Sequence, residues 1–172
     1  MARKIVKKIP IGGEPSGIAR KDNFLYVANS RQNTVFVIDI QRHAIHKVIP
    51  VGANPTAVAA SPKRNFVYVA NSFDDTVSII DTVNQNVSGE PIRVGHQPSG
   101  LAVDGGYDDG DVVYVTNYQD RSLSVIDIAT RTETDKPITV GTFPIGAAVL
   151  DGGDKIYVVN SGSDDVSILR VE

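Results

Sequence analysis

Four versions of one phrase recur along this chain: YVANSRQNTVFVID from Tyr26, YVANSFDDTVSIID from Tyr68, YVTNYQDRSLSVID from Tyr114 and YVVNSGSDDVSILR from Tyr157. The tyrosines stand 42, 46 and 43 residues apart. A unit of that length cannot bury its apolar face alone, so the copies must stack on one another. Within each unit the residues choose strands. The first reads as a small-residue run (SGIAR), an aromatic and β-branched run (NFLYVANS), a Val/Ile run ending in Asp (TVFVIDI) and a last run (AIHKVIPVG), separated by turn formers. No helical period lasts a dozen residues, and Val, Ile, Tyr, Phe and Thr suit a pleated, half-buried surface. The expectation is an all-β chain, a four-bladed β-propeller of four-stranded antiparallel blades.

The connections support that expectation. Gly-x-x-Pro stands between units four times, at Gly12 to Pro15, Gly52 to Pro55, Gly95 to Pro98 and Gly141 to Pro144. Glycine admits a sharp crossing and proline fixes φ as the chain starts the next strand. Small residues follow: Gly17 and Ala19, Ala57 and Ala59, Gly100 and Ala102, Gly146 and Ala148. Blades converge on a propeller axis, where bulky side chains would not fit. The last unit lacks an outer strand, while the chain opens with IVKKIPIGGEP, which aligns with the outer run IHKVIPVGANP of the first unit. The expected architecture is therefore a ring closed by the N-terminal strand completing the last blade, which removes one sheet edge. The whole chain, 1–172, is one domain: blade 1 about 15–52, blade 2 about 55–95, blade 3 about 98–141, and blade 4 about 144–172 plus the closing strand 3–11. Strand donation also allows a dimer forming an eight-bladed ring, so monomer and dimer both stay open.

A length of 172 residues suits one compact core. A formal charge of −3 offers no basic field for nucleic acid or an anionic membrane. Zero cysteines exclude disulfides, thiolate metal sites and cysteine nucleophiles. The opening MARKIVKKIPIGG is charged without an apolar signal-peptide core. The compartment is left open: cytoplasmic as given, exported if the sequence is truncated.

With the phrase Tyr-Val-x-Asn in register four times and followed by VFVID, VSIID, LSVID or VSILR, the chain resembles the YVTN β-propeller repeat family over its whole length. The resemblance implies a propeller of such blades, often in surface-layer or exported proteins of archaea and bacteria. Similar-looking propellers include sugar-lactone hydrolases and lyases and the propeller domains of some copper and haem enzymes. This chain departs in having only four repeats and Arg170 where the others have Asp39, Asp81 and Asp127.

The motif residues read as structural. Asn29, Asn71, Asn117 and Asn160 end the second strand, where an Asn side chain bonds nearby backbone and tolerates a left-handed turn. Asp39, Asp81 and Asp127 are expected to accept backbone N–H bonds in the following turn. Binding belongs on the end of the ring formed by the inter-blade loops and the turns after each Tyr-Val-x-Asn. The candidate ligand-binding residues there are Glu14, Arg31, Asn54, Phe73, Asp74, Asp75, His96, Asp120, Arg121, Phe143 and Asp164. They differ from blade to blade, offering carboxylates, one histidine, two arginines and two phenylalanines. A catalytic reading would use His96 as acid or base with Asp75, Asp120 or Asp164. His43 and His46 lie in or beside the first outer strand and point to opposite faces. A metal site would be all-oxygen, and the insert DGGYDDGDV from Asp104 to Val112 has no EF-hand spacing. It reads as a flexible hairpin on the opposite end. No phosphate loop, Walker motif or nucleophile elbow is present.

No cofactor, metal or catalytic residue is assigned. The leading function is a non-catalytic scaffold presenting loops to a protein or small polar ligand. The alternatives are a small hydrolase or lyase acting on a sugar lactone or similar polar substrate, and a fragment or engineered part of a larger propeller with no independent activity.

Overall fold

The computed structural model describes residues 3–105, 111–134, 136–150 and 153–171. Regular structure in them is extended throughout and forms four antiparallel sheets. The first sheet runs β1 (Pro15–Lys21), β2 (Phe24–Asn29), β3 (Thr34–Asp39) and β4 (Ala44–Pro50) in chain order. The second holds β5 (Pro55–Ala60), β6 (Phe66–Asn71) and β7 (Thr76–Asp81), and both β8 (Asn86–Val87) and β9 (Ile92–Arg93) pair with β7. The third repeats this with β10 (Pro98–Asp104), β11 (Val112–Asn117) and β12 (Ser122–Asp127), edged by β13 (Thr132–Glu133) and β14 (Ile138–Thr139). The fourth has β15 (Pro144–Val149), β16 (Lys155–Asn160) and β17 (Asp165–Arg170).

The outer strand is continuous only in the first sheet, and the sequence explains why. AIHKVIP meets proline only at its end, whereas Gly89 (φ 72°) and Pro91 interrupt the second outer run and Pro137 the third. Proline cannot donate to a ladder, so each run survives as two short pairings.

The sheets stack in series through their first strands, β1 on β5, β5 on β10 and β10 on β15. Side-chain alternation sends one row forward to the next sheet. Tyr26, Val35 and Val37 meet Val67, Val69 and Ile80 of the second sheet. Tyr68, Val77 and Ile79 meet Val113, Val115 and Ile126. Tyr114 and Leu123 meet Ile156 and Val158. The phrase tyrosines are thus forward-facing core residues, and Tyr157, with no sheet ahead of it, is only half-buried. Small residues are required at Gly17 and Gly100, where the first strands of neighbouring sheets meet. A Cβ built on Gly17 would lie 2.9 Å from the Val58 amide nitrogen, and one on Gly100 would lie 2.8 Å from the Ile145 carbonyl oxygen.

The expected closing strand is not formed. Residues 3–11 adopt no strand, and among the described residues β17 pairs only with β16. Ile9 and Ile11 instead pack against Val27, Phe36 and Ile38 on the rear face of the first sheet. The alignment behind the expectation still holds: Ile49 and Val51 pack on the second sheet just as Ile9 and Ile11 pack on the first. Among the described residues the segment keeps its contact with the sheet that follows it but has no ladder of its own.

Candidate functional site

In the second to fourth sheets the turn after Tyr-Val-x-Asn holds the loop leading into its own sheet, and in the first two sheets the turn's next residue holds the loop leading into the following sheet. Asp74 Oδ2 accepts from the Ala53 amide at 2.6 Å, Asp120 Oδ2 from the His96 amide at 2.6 Å, and Ser163 Oγ from the Thr142 amide at 3.0 Å. One residue later, Asn33 Oδ1 accepts from the Asn54 amide of the next loop, and Asp75 Oδ1 from the Gln97 amide, both at 2.9 Å. Turn and loop are therefore on one end of the stack, fixed by charge-assisted bonds. Left-handed conformations tighten both: Asn33, Asp75, Arg121 and Asp164 in the turns, and Asn54, Gln97 and Phe143 immediately before the prolines, all near φ 50–56°.

The four phrase asparagines are not left-handed, contrary to the sequence expectation; the left-handed residue stands four places later. Their amides do work at the strand end. Asn71 Nδ2 donates to Thr76 and Ser78, Asn117 to Ser122 and Ser124, and Asn160 to Asp165 and Ser167. The first sheet has Phe36 at the serine position, and Asn29 turns instead to the loop backbone, donating to Gly12 O and accepting from the Glu14 amide. Asp39, Asp81 and Asp127 each accept two backbone N–H bonds in the turn that follows. Those bonds, led by the Arg42 amide, hold the Asp39 carboxyl below the usual carboxylate range.

Between the second and third sheets the clasp carries a side-chain cluster. His96 Nδ1 lies 3.0 Å from both Asp120 carboxylate oxygens, and its Nε2 is 3.9 Å from Asp75 Oδ2. The hydrogen bond that the ring donates to Asp120 and then the charges of Asp120 and Asp75 raise the imidazole pKa above its ordinary value. The ring is open to solvent, its side chain 66% exposed. Beside it, Ser72, Phe73, Asp75, His96, Gln97 and Gln119 line a shallow cleft of about 210 Å³. Phe73 is 71% exposed, an uncommon position for so large an apolar side chain.

Of the candidates read from sequence, the structure gathers Phe73, Asp75, His96 and Asp120 here, with Asp74 holding the preceding loop. Asn54 is tied to Asn33, and the Glu14 amide to Asn29. Arg31 and Asp164 stand exposed on the first and last turns, and Arg121 is exposed on the third. Phe143 lies one junction further on, stacked on Tyr118 with ring centroids 4.7 Å apart and planes 13° apart. Tyr118 was missed. It occupies the place of Ser30, Ser72 and Ser161, and that departure was the available signal.

At the other end, Tyr68 donates a 2.6 Å hydrogen bond to the buried Asp111 Oδ2. Burial and that bond push the tyrosine pKa well up. The hairpin tip expected beside it, residues 106–110, lies outside the described residues. His43 sits in the turn before β4 with φ 49°, and His46 is tilted against Phe24 at 5.0 Å.

A family model described as YNCE-like beta-propeller matches residues 2–155. Among solved structures, Kuenenia stuttgartiensis hydrazine synthase aligns with a TM-score of 0.83 at 21% identity, over 99% of this chain and 49% of that one. A chain from a mitotic checkpoint complex aligns at 0.78 and 16% identity, over 92% and 49% of the respective chains. A functionally unknown protein from Desulfotomaculum acetoxidans aligns at 0.74 and 13%, over 91% and 55%. The chain thus spans about half the length of these structures. No curated protein matches it in sequence.

Proposed function

This chain belongs to the YNCE-like β-propeller family, and from that premise we propose that it is a non-catalytic binding scaffold whose clasped turn-and-loop end engages a protein or a small polar ligand. We read the four sheets as four blades of the YVTN repeat type, residues 15–52, 55–95, 98–141 and 144–172. The observation that carries the reading is the cleft beside Phe73 and His96. An exposed aromatic ring, an imidazole and carboxylates sit on loops that backbone bonds hold still, so binding there costs little ordering entropy.

The lactone-hydrolase alternative fares worse on the same geometry. Asp74, Asp75 and Asp120 are already engaged by backbone amides. The test is a panel of immobilised peptides and glycans probed with the unaltered protein and with the Phe73→Ala/His96→Ala variant. Specific capture that falls at least about tenfold in the variant, a 1.4 kcal/mol effect, supports the scaffold. Turnover of any sugar lactone by the unaltered protein overturns it.

A further inference from the structure

The two ends of the stack are complementary halves of the same junction that occurs three times inside it. At each interior junction the forward row of one sheet is covered by the next. At the fourth sheet the same row is bare: Val166 and Ile168 are 53% and 65% exposed, whereas their counterparts Val35, Val37, Val77 and Ile79 are at most 1% exposed, and Val159 is 47% exposed where Ala28 and Ala70 are fully buried. Gly146, in the place of Gly17 and Gly100, would offer its Cβ nothing within 4 Å. At the other end Ile18 is 62% exposed, while the matching Val58 and Leu101 pack into the junction cores.

The edges match as well as the faces. β17 has an unpaired outer edge, and residues 3–11 carry an outer-strand sequence with no ladder. The first sheet's register pairs Asp39 with Ala44, Ile38 with Ile45, Val37 with Lys47 and Val35 with Ile49. Carried to β17, it sets Lys4 against Arg170, Ile5 against Leu169, Lys7 against Ile168 and Ile9 against Val166. Ile5 and Val6 are 75% and 80% exposed. Leu169 borders an apolar groove of about 420 Å³ between the third and fourth sheets, also lined by Tyr114, Val125, Ile138 and Ile156. In that register Ile5 fills the groove. Ile9 bridges Val166 and the first sheet it already touches.

We propose that the occupant is a second copy of this chain, docked so that each copy's residues 3–11 complete the other's fourth sheet and each copy's first sheet covers the other's forward face. The two junctions are then identical, as a two-fold axis requires, and the assembly closes with eight sheets and no free edge. The new junction differs from the interior ones in one bond. Ser16, Thr56 and Ser99 each donate to the carbonyl of the next sheet's first proline, Pro55, Pro98 and Pro144, at 2.6–2.9 Å. The fourth position is Ile145, 48% exposed, so an apolar contact replaces the hydrogen bond.

Light scattering over a concentration series tests the pairing. The expected mass is twice 18.4 kDa; a single-chain mass throughout, or a series of larger open assemblies, overturns it. Gly146→Val and Ile168→Glu alter only the bare face, and both are expected to return the mass to one chain with an unchanged circular dichroism spectrum. A double mass that survives both changes overturns the interface. Should either variant misfold, Ile5→Glu carries the same test on the segment that adopts no strand. Lys4→Glu, removing a like-charge pair at the seam, is expected to lower the dissociation constant severalfold.

Discussion

Gly100 and Gly146 hold the same place in consecutive repeats and meet opposite surroundings. A side chain on the first would strike the Ile145 carbonyl and the Gly146 Cα at 2.8–2.9 Å; a side chain on the second would meet nothing within 4 Å. The contrast extends across both sheets, since Leu123 is fully buried by the fourth sheet while Val166, in its place one repeat on, is half-exposed. Equal sequence at equal positions therefore has unequal energetic weight. What decides it is whether a neighbouring sheet follows.

The largest test of that comparison is Leu123→Ala against Val166→Ala. The first is expected to lower unfolding stability in urea by about 2–5 kcal/mol through lost burial and a cavity, and the second, in the single chain, by less than about 0.5 kcal/mol. An equal loss at both would mean that Val166 is covered in solution. Next in size, Gly100→Ala is expected to cost about 1–3 kcal/mol by overpacking. Gly146→Ala in the single chain is expected to raise stability by about 0.4–1 kcal/mol by stiffening the unfolded chain. A cost at both positions sharpens the comparison differently, because it places a second copy on the open face. The smallest effect is electrostatic. His96 has its pKa raised in the fold, so its pairing with Asp120 adds stability fully below pH about 6.5, and that contribution fades as pH rises through the higher folded value. Thermal melts of the protein and of His96→Ala should converge as pH climbs past that range. A gap that widens instead would reverse the sign of the pairing.

The fold was legible because its strongest signal is internal: one phrase repeated at a near-constant interval tells which residues share a place in each sheet. Tyr26, Tyr68 and Tyr114 show this, since the same letter turns forward each time. The phrase does not say how many units make a ring, nor to which sheet a lone outer strand belongs. IVKKIPI aligns with an outer strand, yet it forms no ladder with the fourth sheet of its own chain, because pattern specifies the slot and not the partner. The candidate site was legible in part for the same reason. Residues on adjacent turns, such as His96 and Asp120, are brought together by the repeat itself. Tyr118 on Phe143 and Tyr68 on Asp111 were not found, because both depend on residues in which one repeat departs from the others.

The bonds that run from Asn33 and Asp75 to the following loop have a directional consequence. Loop backbones at Asn54 and Gln97 are each held by the sheet before them, so protection is passed down the chain like links fastened one way. Coupling of this kind is between nearest neighbours, and opening propagates inward from whichever end lacks a neighbour. For a single copy that end is β17, whose amides should exchange with solvent first, while β6 and β7, enclosed on both sides, remain closed longest.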